Sequence, residues 1–450
     1  MLLNHKELYR LPWNYADNII SWLEPTKKCN IYCEGCYSAN RPHSHKTLEQ
    51  IKSDLDVFGK YRITDSMSIA GGEPLCHPEI EKVVSMVAER GIKPVVNTNG
   101  FAMTEDKMRA IKEAGLKGLT FHIDSLQHRP EGGWTGKNEE ELNELRLRYA
   151  DMAKKVGGLS VAFNSTVYEE TLKNTTTLLK WAQKHIDRVN VMVFICFRAA
   201  QPPEKFRYYV NGQEIKMSHL VYGEDKGRHI ELKANDVISQ LRREYPDYQP
   251  CAYLNGTEDP SAMKWLLTLR IADKDNVYGY FGPKFIEFVQ VMNHLLFGKY
   301  QGYTAPWLMG RAKWIMMFAA LFDKGARKAL GKWFFAVLKN PLRLFTAVYL
   351  QSNMIIQPVD MMEDGRQSMC DGCPDMTVYN GKLVWSCRLE EQFNHGAFVH
   401  TVPAERVKEA EEAVAFNSVH DDVTSPDEFR EKAKYSSADA SSGAAHDKEA

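Results

Sequence analysis

Residues 93–124 read KPVVNTNGFAMTEDKMRAIKEAGLKGLTFHID. The stretch opens with a short apolar run, continues at helical spacing from Thr104 to Ala114, and closes with a second apolar run from Gly118. Two short apolar runs separated by an amphipathic helix are typical of a parallel β–α–β unit. The pattern therefore indicates an α/β fold in which polar residues, Asn97 and Asp124 among them, follow the strands.

The same alternation extends from about residue 19 to residue 200. Strands are predicted to begin at Asn18, Ser66, Lys93, Gly118, Leu159 and Val189, and helices to cover 48–58, 79–90, 104–114, 142–156 and 171–185. Six strands with intervening helices predict a parallel sheet of right-handed βα units. From periodicity alone, a barrel and a doubly wound sheet fit equally well.

Composition divides the chain into six segments. They are an N-terminal extension (1–18), the six-stranded α/β region (19–200), a polar connecting segment (201–259), a basic and apolar helical region (260–365), a cysteine-rich hairpin region (366–403) and an acidic, mostly disordered tail (404–450). No repeat is found. The helical region is expected to lie on a membrane or to form a lid over a substrate.

Net charge, the first residues and the length of the apolar runs argue against three classes of protein: nucleic-acid-binding, secreted and membrane-spanning. The 450 residues carry a formal net charge of −1, so no global field favours nucleic acid. The first eighteen residues lack the basic start and apolar core of a signal peptide. No apolar run reaches the ~20 residues that span a bilayer. We expect a cytoplasmic protein, with peripheral contact at the inner membrane face left open.

The nine cysteines include two tight groups, which in a chain without an export signal predict metal ligands rather than disulfides. Cys29, Cys33 and Cys36 have the spacing Cx3Cx2C. A cubane cluster usually takes four thiolates, so three leave one iron open to a small molecule. The alternatives are three incidental thiols or a structural zinc loop, but no second CxxC or His pair lies near.

The sequence CNIYCEGCY after the first strand resembles the signature loop of the radical S-adenosylmethionine (radical SAM) superfamily. The resemblance covers about 180 residues. Gly71, Gly72 and Glu73 end the second strand and are similar to the family's GGE segment, where backbone groups meet the methionine amine. Asn97 and Asn99 end the third strand. Asp124 and Ser125, after the fourth, resemble residues that meet the ribose.

This resemblance implies a partial (βα)6 TIM-like barrel with a helical insert and a small C-terminal cysteine-rich hairpin region. It also implies a [4Fe-4S] cluster on the three cysteines, bound SAM, and reductive cleavage of SAM to a 5'-deoxyadenosyl radical. Many members place an aromatic residue before the third cysteine, where this chain has Gly35, so Tyr37 is the candidate for the adenine contact. Relatives that act on hopanoid lipids also lack an aromatic residue at this position.

A second group, Cys370, Cys373 and Cys387, surrounds an Asn380-Gly381 hairpin signal. The arrangement resembles the C-terminal auxiliary-cluster regions of the superfamily (SPASM or twitch type), although it does not match the seven-cysteine pattern in full. Cys251 is our candidate fourth ligand of a second iron–sulfur cluster. The alternative is a zinc site that only staples the hairpin.

Residues 301–350 contain eight lysines and arginines and one acid, Asp323, between dense apolar runs. Such composition suits helices in a membrane interface, or a helical lid packed on the barrel. We therefore expect a radical SAM enzyme that modifies a lipid or other hydrophobic substrate by hydrogen abstraction, C–C bond formation or another alkyl-chain change. The partners expected are SAM, a flavodoxin or ferredoxin donor and an anionic membrane surface. The alternatives are a peptide-modifying (RiPP maturase-type) enzyme and a non-catalytic iron–sulfur electron carrier.

Overall fold

A computed structural model describes residues 3–197, 204–216 and 232–409. Its strands are β1 (Tyr9–Arg10), β2 (Asp17–Thr26), β3 (Tyr32–Cys33), β4 (Ile63–Gly71), β5 (Lys93–Thr98), β6 (Gly118–His122), β7 (Gln127–His128), β8 (Ser160–Val167), β9 (Val191–Cys196), β10 (Phe206–Val210), β11 (Gln213–Ile215), β12 (Ala252–Leu254), β13 (Trp265–Ala272), β14 (Val277–Tyr280), β15 (Tyr349–Ile356), β16 (Asp360–Met361), β17 (Gln367–Ser368), β18 (Met376–Tyr379), β19 (Lys382–Trp385) and β20 (His400–Pro403). The predicted acidic tail lies outside these residues from 410 onward.

The helices alternate with the first strands and then cluster late in the chain. They are α1 (Leu48–Tyr61), α2 (Ile80–Ala88), α3 (Glu105–Glu113), α4 (Leu142–Val156), α5 (Asn174–Lys184), α6 (Ala234–Glu244), α7 (Pro283–Phe297), α8 (Pro306–Met309), α9 (Ala312–Ala319), α10 (Lys324–Lys339) and α11 (Leu389–His395). In the part of the chain that the structure describes, no helix combines the length and apolar character needed to cross a membrane.

The six predicted strands form a parallel sheet in the order β2-β4-β5-β6-β8-β9, which confirms the α/β fold. Their helices pack apolar faces on the sheet. Thr47 begins α1 with a reciprocal capping box to Gln50, and α1 then buries Ile51, Leu55 and Phe58. All six strands run the same way, so the loops at their C-terminal ends meet at one edge of the sheet.

The sheet extends further than the sequence predicts. β15 pairs in parallel with β9, β13 pairs antiparallel with β15, and β12 pairs antiparallel with β13. The region 260–365, which the sequence predicts to be helical, therefore also contributes strands to the sheet. Its helices α7–α10 form an insertion between β14 and β15. Pairing of β13 with β15, strands about eighty residues apart in the chain, overrides the weak local signal of these leucine-rich runs.

The sheet must be strongly curled, because its two outer strands are close in sequence. β1 and β2 lie at opposite ends of the ten-strand path, yet only residues 11–16 connect them. A flat sheet of this size would be about 43 Å wide, whereas seven Cα steps reach at most about 25 Å. β1 and β2 do not pair in the described residues, so the sheet is an open, partial barrel.

Candidate functional site

A cavity of about 280 Å³ lies at the C-terminal edge of the parallel strands. It brings together most of the residues predicted for the site. The predicted residues that line it are Cys29, Cys33, Cys36, Tyr37, Gly71, Gly72, Asn97, Asn99 and Cys387. The curled sheet thus joins the first cysteine loop, the ends of β4 and β5 and one thiol of the C-terminal region in a single space.

The first cysteine loop is held by short contacts at both ends. The backbone N–H of Cys29 donates to Oδ1 of Asn40 at 3.0 Å, and Nδ2 of Asn99 approaches the Cys29 sulfur at 3.7 Å. The Tyr168 hydroxyl donates to the carbonyl of Glu34 at 2.7 Å. Gly35 has φ 67°, and a Cβ there would collide with the Phe197 ring, so this position requires glycine.

The loop's thiols lie in an environment that disfavours free thiolates. Burial raises the pKa of Cys29, Cys33 and Cys36, and for Cys33 the charge of Asp124 raises it further. A bound metal reverses this effect, because it binds the deprotonated sulfur and supplies positive charge. Three converging, shielded thiols on one loop therefore fit a metal–sulfur centre. Among the described residues, no group of three or more Cys, His, Asp or Glu closes around a single ion.

The two glycines after β4 allow its end to pack on the cysteine loop. Gly71 has φ 106°, and a Cβ there would collide with the Thr26 carbonyl. At Gly72 a Cβ would lie 2.5 Å from the carbonyl oxygens of Lys27 and Lys28. Gly72 N–H also donates to Thr26 O at 2.9 Å. The pair thus fixes the loop against the strand end and leaves backbone groups facing the cavity.

Glu73 acts inside the protein and does not line the cavity. Its carboxylate accepts hydrogen bonds from the Thr98 hydroxyl and the Asn99 N–H, both at 2.7 Å, and from the Leu75 N–H at 3.0 Å. Burial raises the pKa of Glu73 to about 7, although these bonds oppose the rise. The side chain therefore holds the end of β5 in place, and with it Asn99.

Replacing Glu73 by alanine is expected to lower the free energy of unfolding by about 2–4 kcal/mol, because three buried donors lose their acceptor. Urea denaturation of the metal-free protein measures this. The matched control is Glu79→Ala, which removes a half-exposed carboxylate that pairs with Lys82, and should change stability by under about 0.5 kcal/mol. Equal stability of the two variants would show that Glu73 does not hold the strand end.

Asp124 and Ser125 lie behind the cavity wall. Asp124 accepts from Nε2 of His122 at 2.9 Å; burial alone would raise its pKa, but the bond and charge of His122 lower it below the usual value. Ser125 N–H donates to Glu139 at 2.7 Å. The residue that faces the cavity is His122, which also contacts the Thr166 hydroxyl at 3.1 Å. His122 belongs to the predicted run 122–125, whereas sequence reasoning missed Thr166, because its contact with His122 depends on the pairing of β6 with β8.

Tyr37 lines the cavity between the two cysteine groups. Burial raises its pKa well above the usual value, and the charges of Glu24 and Cys36 raise it further. Asp375 and Cys387 are also among its charged neighbours. Its ring is therefore placed between the loop of the first group and the hairpin of the second.

The second cysteine group lies at the base of the predicted hairpin. Strands β18 and β19 pair across Asn380 and Gly381, with φ 48° and 72°, as in a type I′ turn. A hydrogen bond from the Cys373 thiol to the Cys370 sulfur, together with burial, raises the pKa of Cys373 well above its usual value, and burial raises that of Cys387 to about 12. Cys370 and Cys373 are buried, whereas Cys387 lines the cavity.

The structure does not bring Cys251 to this group. Cys251 belongs to the same large apolar cluster as Cys370 and Cys373, but its thiol donates to the Leu267 carbonyl at 3.4 Å. Burial raises the pKa of Cys251, and its charged neighbour is Asp323 of the helical insertion rather than any of the three thiols. The carboxylate that does approach the thiols is Asp375, whose pKa burial raises to about 7.

Comparison with known proteins agrees with this arrangement. A family model described as the radical SAM superfamily matches residues 23–182, which include the first cysteine loop and the strand ends up to Thr166. Residues 23–182 are thus similar to radical SAM domains. Proteins of this family use a [4Fe-4S] cluster and SAM, and the thiol loop and cavity described above fit both groups.

Similar proteins share only part of their length with this chain. An AdoMet-dependent heme synthase of Methanosarcina barkeri is 26% identical over 49% of this chain and 62% of its own. A GTP 3',8-cyclase of Alkaliphilus oremlandii is 34% identical over 34% of this chain and 45% of its own. Streptococcus suis SuiB bound to S-adenosylmethionine is 14% identical, with a TM-score of 0.36 over 52% of this chain and 48% of its own. The chain thus spans less than two thirds of these relatives.

Proposed function

We propose that this radical SAM protein is an enzyme that modifies the hydrocarbon part of a lipid, or another hydrophobic substrate, at an anionic membrane surface. One observation carries the substrate class: the insertion α7–α10 exposes a broad apolar and basic surface. When bound, the cluster and SAM supply the reductive cleavage that yields a 5'-deoxyadenosyl radical, which attacks unactivated C–H bonds or double bonds.

The insertion surface consists of the outward side chains of residues 288–345. Within the part of the chain that the structure describes, most of the exposed large apolar side chains lie on this surface. The most exposed of them are Leu295, Leu296, Phe297, Trp307, Trp314, Leu321, Phe335, Leu338, Leu342 and Phe345. Soluble proteins rarely expose contiguous apolar patches of this kind without a binding partner. A partner with an apolar interior is therefore expected at this surface.

The charge of the insertion favours a membrane. Its single acid in residues 301–350, Asp323, is buried and accepts from the N–H groups of Ala326 at 2.8 Å and Gly282 at 2.9 Å. The outward charges from these residues are therefore all basic. Arg311 and Lys313 extend over the rings of Trp307 and Trp333, a geometry that keeps cationic ends beside apolar area. Anionic head groups above acyl chains complement this pattern.

The insertion is connected directly to the cavity. β15, which follows it, pairs with β9, whose end contributes Ile195 to the cavity wall. The residues just after β15, Pro358 and Val359, line the same wall. Apolar side chains, Ile31 and Phe197 among them, form much of the remaining lining. These residues would exclude water from the reacting carbon and bind a hydrocarbon chain.

The activity also requires an electron donor such as a flavodoxin or ferredoxin, and we place the enzyme in the cytoplasm with peripheral contact at the inner membrane face. Reconstituted enzyme with SAM and dithionite is expected to form 5'-deoxyadenosine about tenfold faster when vesicles of anionic bacterial lipids are added. Liquid chromatography of the nucleoside measures this. Covalent change in the extracted lipids identifies the product.

The control arms replace the vesicles by GTP or by a hydrophilic peptide at equal concentration. Neither should accelerate the reaction. Acceleration by GTP or peptide, without acceleration by lipid, would contradict the lipid proposal and favour a nucleotide- or peptide-modifying enzyme. Absence of 5'-deoxyadenosine in every arm, despite a loaded cluster, would contradict the enzymatic proposal itself.

A further inference from the structure

We propose that Asp375 is the fourth protein ligand of an iron–sulfur cluster held by Cys370, Cys373 and Cys387. The inference concerns the second cysteine group alone. It does not depend on the substrate proposed above, because the centre can be loaded and measured without any turnover.

The register of the hairpin places Asp375 beside Cys387. Met376 of β18 faces Trp385 of β19, and the N–H of Ser386 donates to the Asp375 carbonyl at 3.0 Å. Asp375 and Cys387 therefore leave the hairpin at the same open end. Cys373 precedes Asp375 by two residues, so the chain brings both to Cys387 without further folding.

The Asp375 carboxylate makes no hydrogen bond and no direct ion pair with any described residue, and this sets it apart from its neighbour Asp371. Its charged neighbours are the thiols of Cys373 and Cys387 and the guanidinium of Arg62. Asp371, in contrast, pairs with Arg10 at 2.7 Å. A partly buried carboxylate without a donor is costly, and a metal among the adjacent sulfurs would take up its free oxygens.

Arg62 lies beside the same group, and its charged neighbours include Cys373, Asp375 and Asp17. It is buried, and its Nη2 donates to the carbonyls of Cys373 at 2.9 Å and Pro374 at 3.0 Å. Its Nε has no partner, and no carboxylate pairs with it directly within the described residues. A buried cation that contacts only neutral carbonyls is unfavourable unless negative charge lies near. A cluster with three thiolates and one carboxylate has a net negative charge and would add to the charge that Asp375 and Asp17 already place near Arg62.

The position of Cys387 favours an iron–sulfur cluster over zinc. Structural zinc sites are closed, four-coordinate staples built mainly from Cys and His. Here Cys387 lines the cavity that also holds Cys29, Cys33 and Cys36. A centre at this place would contact the substrate space, which suits a redox or substrate-binding cluster better than a staple.

The test uses the full-length protein with Cys29, Cys33 and Cys36 replaced by alanine, so that only the second centre remains. After anaerobic reconstitution this background should hold about four irons and no stoichiometric zinc. Adding Asp375→Asn, which keeps the side chain's shape, should lower the content to about three irons and give the EPR signal of an oxidised three-iron cluster. Asp375→Cys should restore about four irons, with a changed EPR spectrum of the reduced cluster.

Two matched variants control for indirect effects. Asp371→Asn removes the neighbouring carboxylate, and Cys251→Ser removes the other candidate ligand; both should keep about four irons and an unchanged spectrum. The inference is overturned if Asp375→Asn retains the background's iron and spectrum, if Cys251→Ser loses iron, or if zinc fills the site. Circular dichroism of each variant establishes that it is folded before iron is measured.

Discussion

Simultaneous replacement of Cys29, Cys33 and Cys36 by alanine is expected to abolish 5'-deoxyadenosine formation and to lower the iron content from about eight to about four per chain. The three thiols are the only described cysteines on the loop that faces Gly71 and Gly72 across the cavity. Without them, no thiolate holds iron beside the groups that would bind SAM. Iron analysis and the visible sulfur-to-iron charge-transfer absorbance measure the loss of the cluster. Chromatography of the nucleoside measures the loss of activity.

Cys76→Ser is the matched control for this prediction. Burial, and then the charges of the nearby Glu73 and Cys29, raise the pKa of Cys76 to about 11. Cys76 is nevertheless not part of the loop or of the cavity lining. The variant should keep its iron and at least half of the activity. Nucleoside formation by the triple variant would contradict the assignment of the loop, and loss of iron in Cys76→Ser would show that the loop is not the whole ligand set.

Replacing Leu295, Leu321 and Phe345 together by glutamine is expected to reduce binding to anionic vesicles by about a thousandfold. These side chains are 72%, 79% and 84% exposed, so almost all of their area is available to a membrane. Full burial of one such side chain contributes about 1.5–3 kcal/mol, and a loss of about 4 kcal/mol in total corresponds to three decades in affinity. Vesicle co-sedimentation at low salt measures the change.

The control carries Tyr61→Gln and Ile63→Gln, which remove exposed apolar side chains outside the insertion; these are 49% and 51% exposed. It should bind vesicles as the parent does. Neutral vesicles or high salt should also weaken parent binding, because each basic residue near an anionic surface contributes about 1 kcal/mol. Equal sedimentation of both variants, or no binding by the parent, would remove the support for membrane docking.

The six parallel strands could be predicted because their signals are local. Each apolar run lies beside an amphipathic helix, and the observed bounds differ from the predicted ones by a few residues. β12, β13 and β15 could not be predicted in this way. Their runs mix apolar and polar residues without clear alternation, and pairing with partner strands, some of them far along the chain, makes them strands.

The candidate site likewise contains some residues that local sequence patterns predict and others that only tertiary contacts bring together. The loop of Cys29 is contiguous, so spacing alone indicated its chemistry. His122 and Thr166 meet only because β6 and β8 are neighbours, and a lone aspartate after proline, Asp375, is most often a turn former. Cys251 shows the converse: the sequence made it a candidate ligand, but its thiol donates to the Leu267 carbonyl.

The pairing of β1 with β12 has a consequence for biosynthesis. Tyr9 pairs with Ala252, so the amino-terminal strand leaves the ribosome long before its partner exists. At about 5–20 residues per second, the delay is about 12–50 s. During that interval the six-stranded half can already assemble, while the first ten residues stay unpaired. Nascent chains stalled before residue 250 should therefore show a protease-sensitive start ahead of a resistant body.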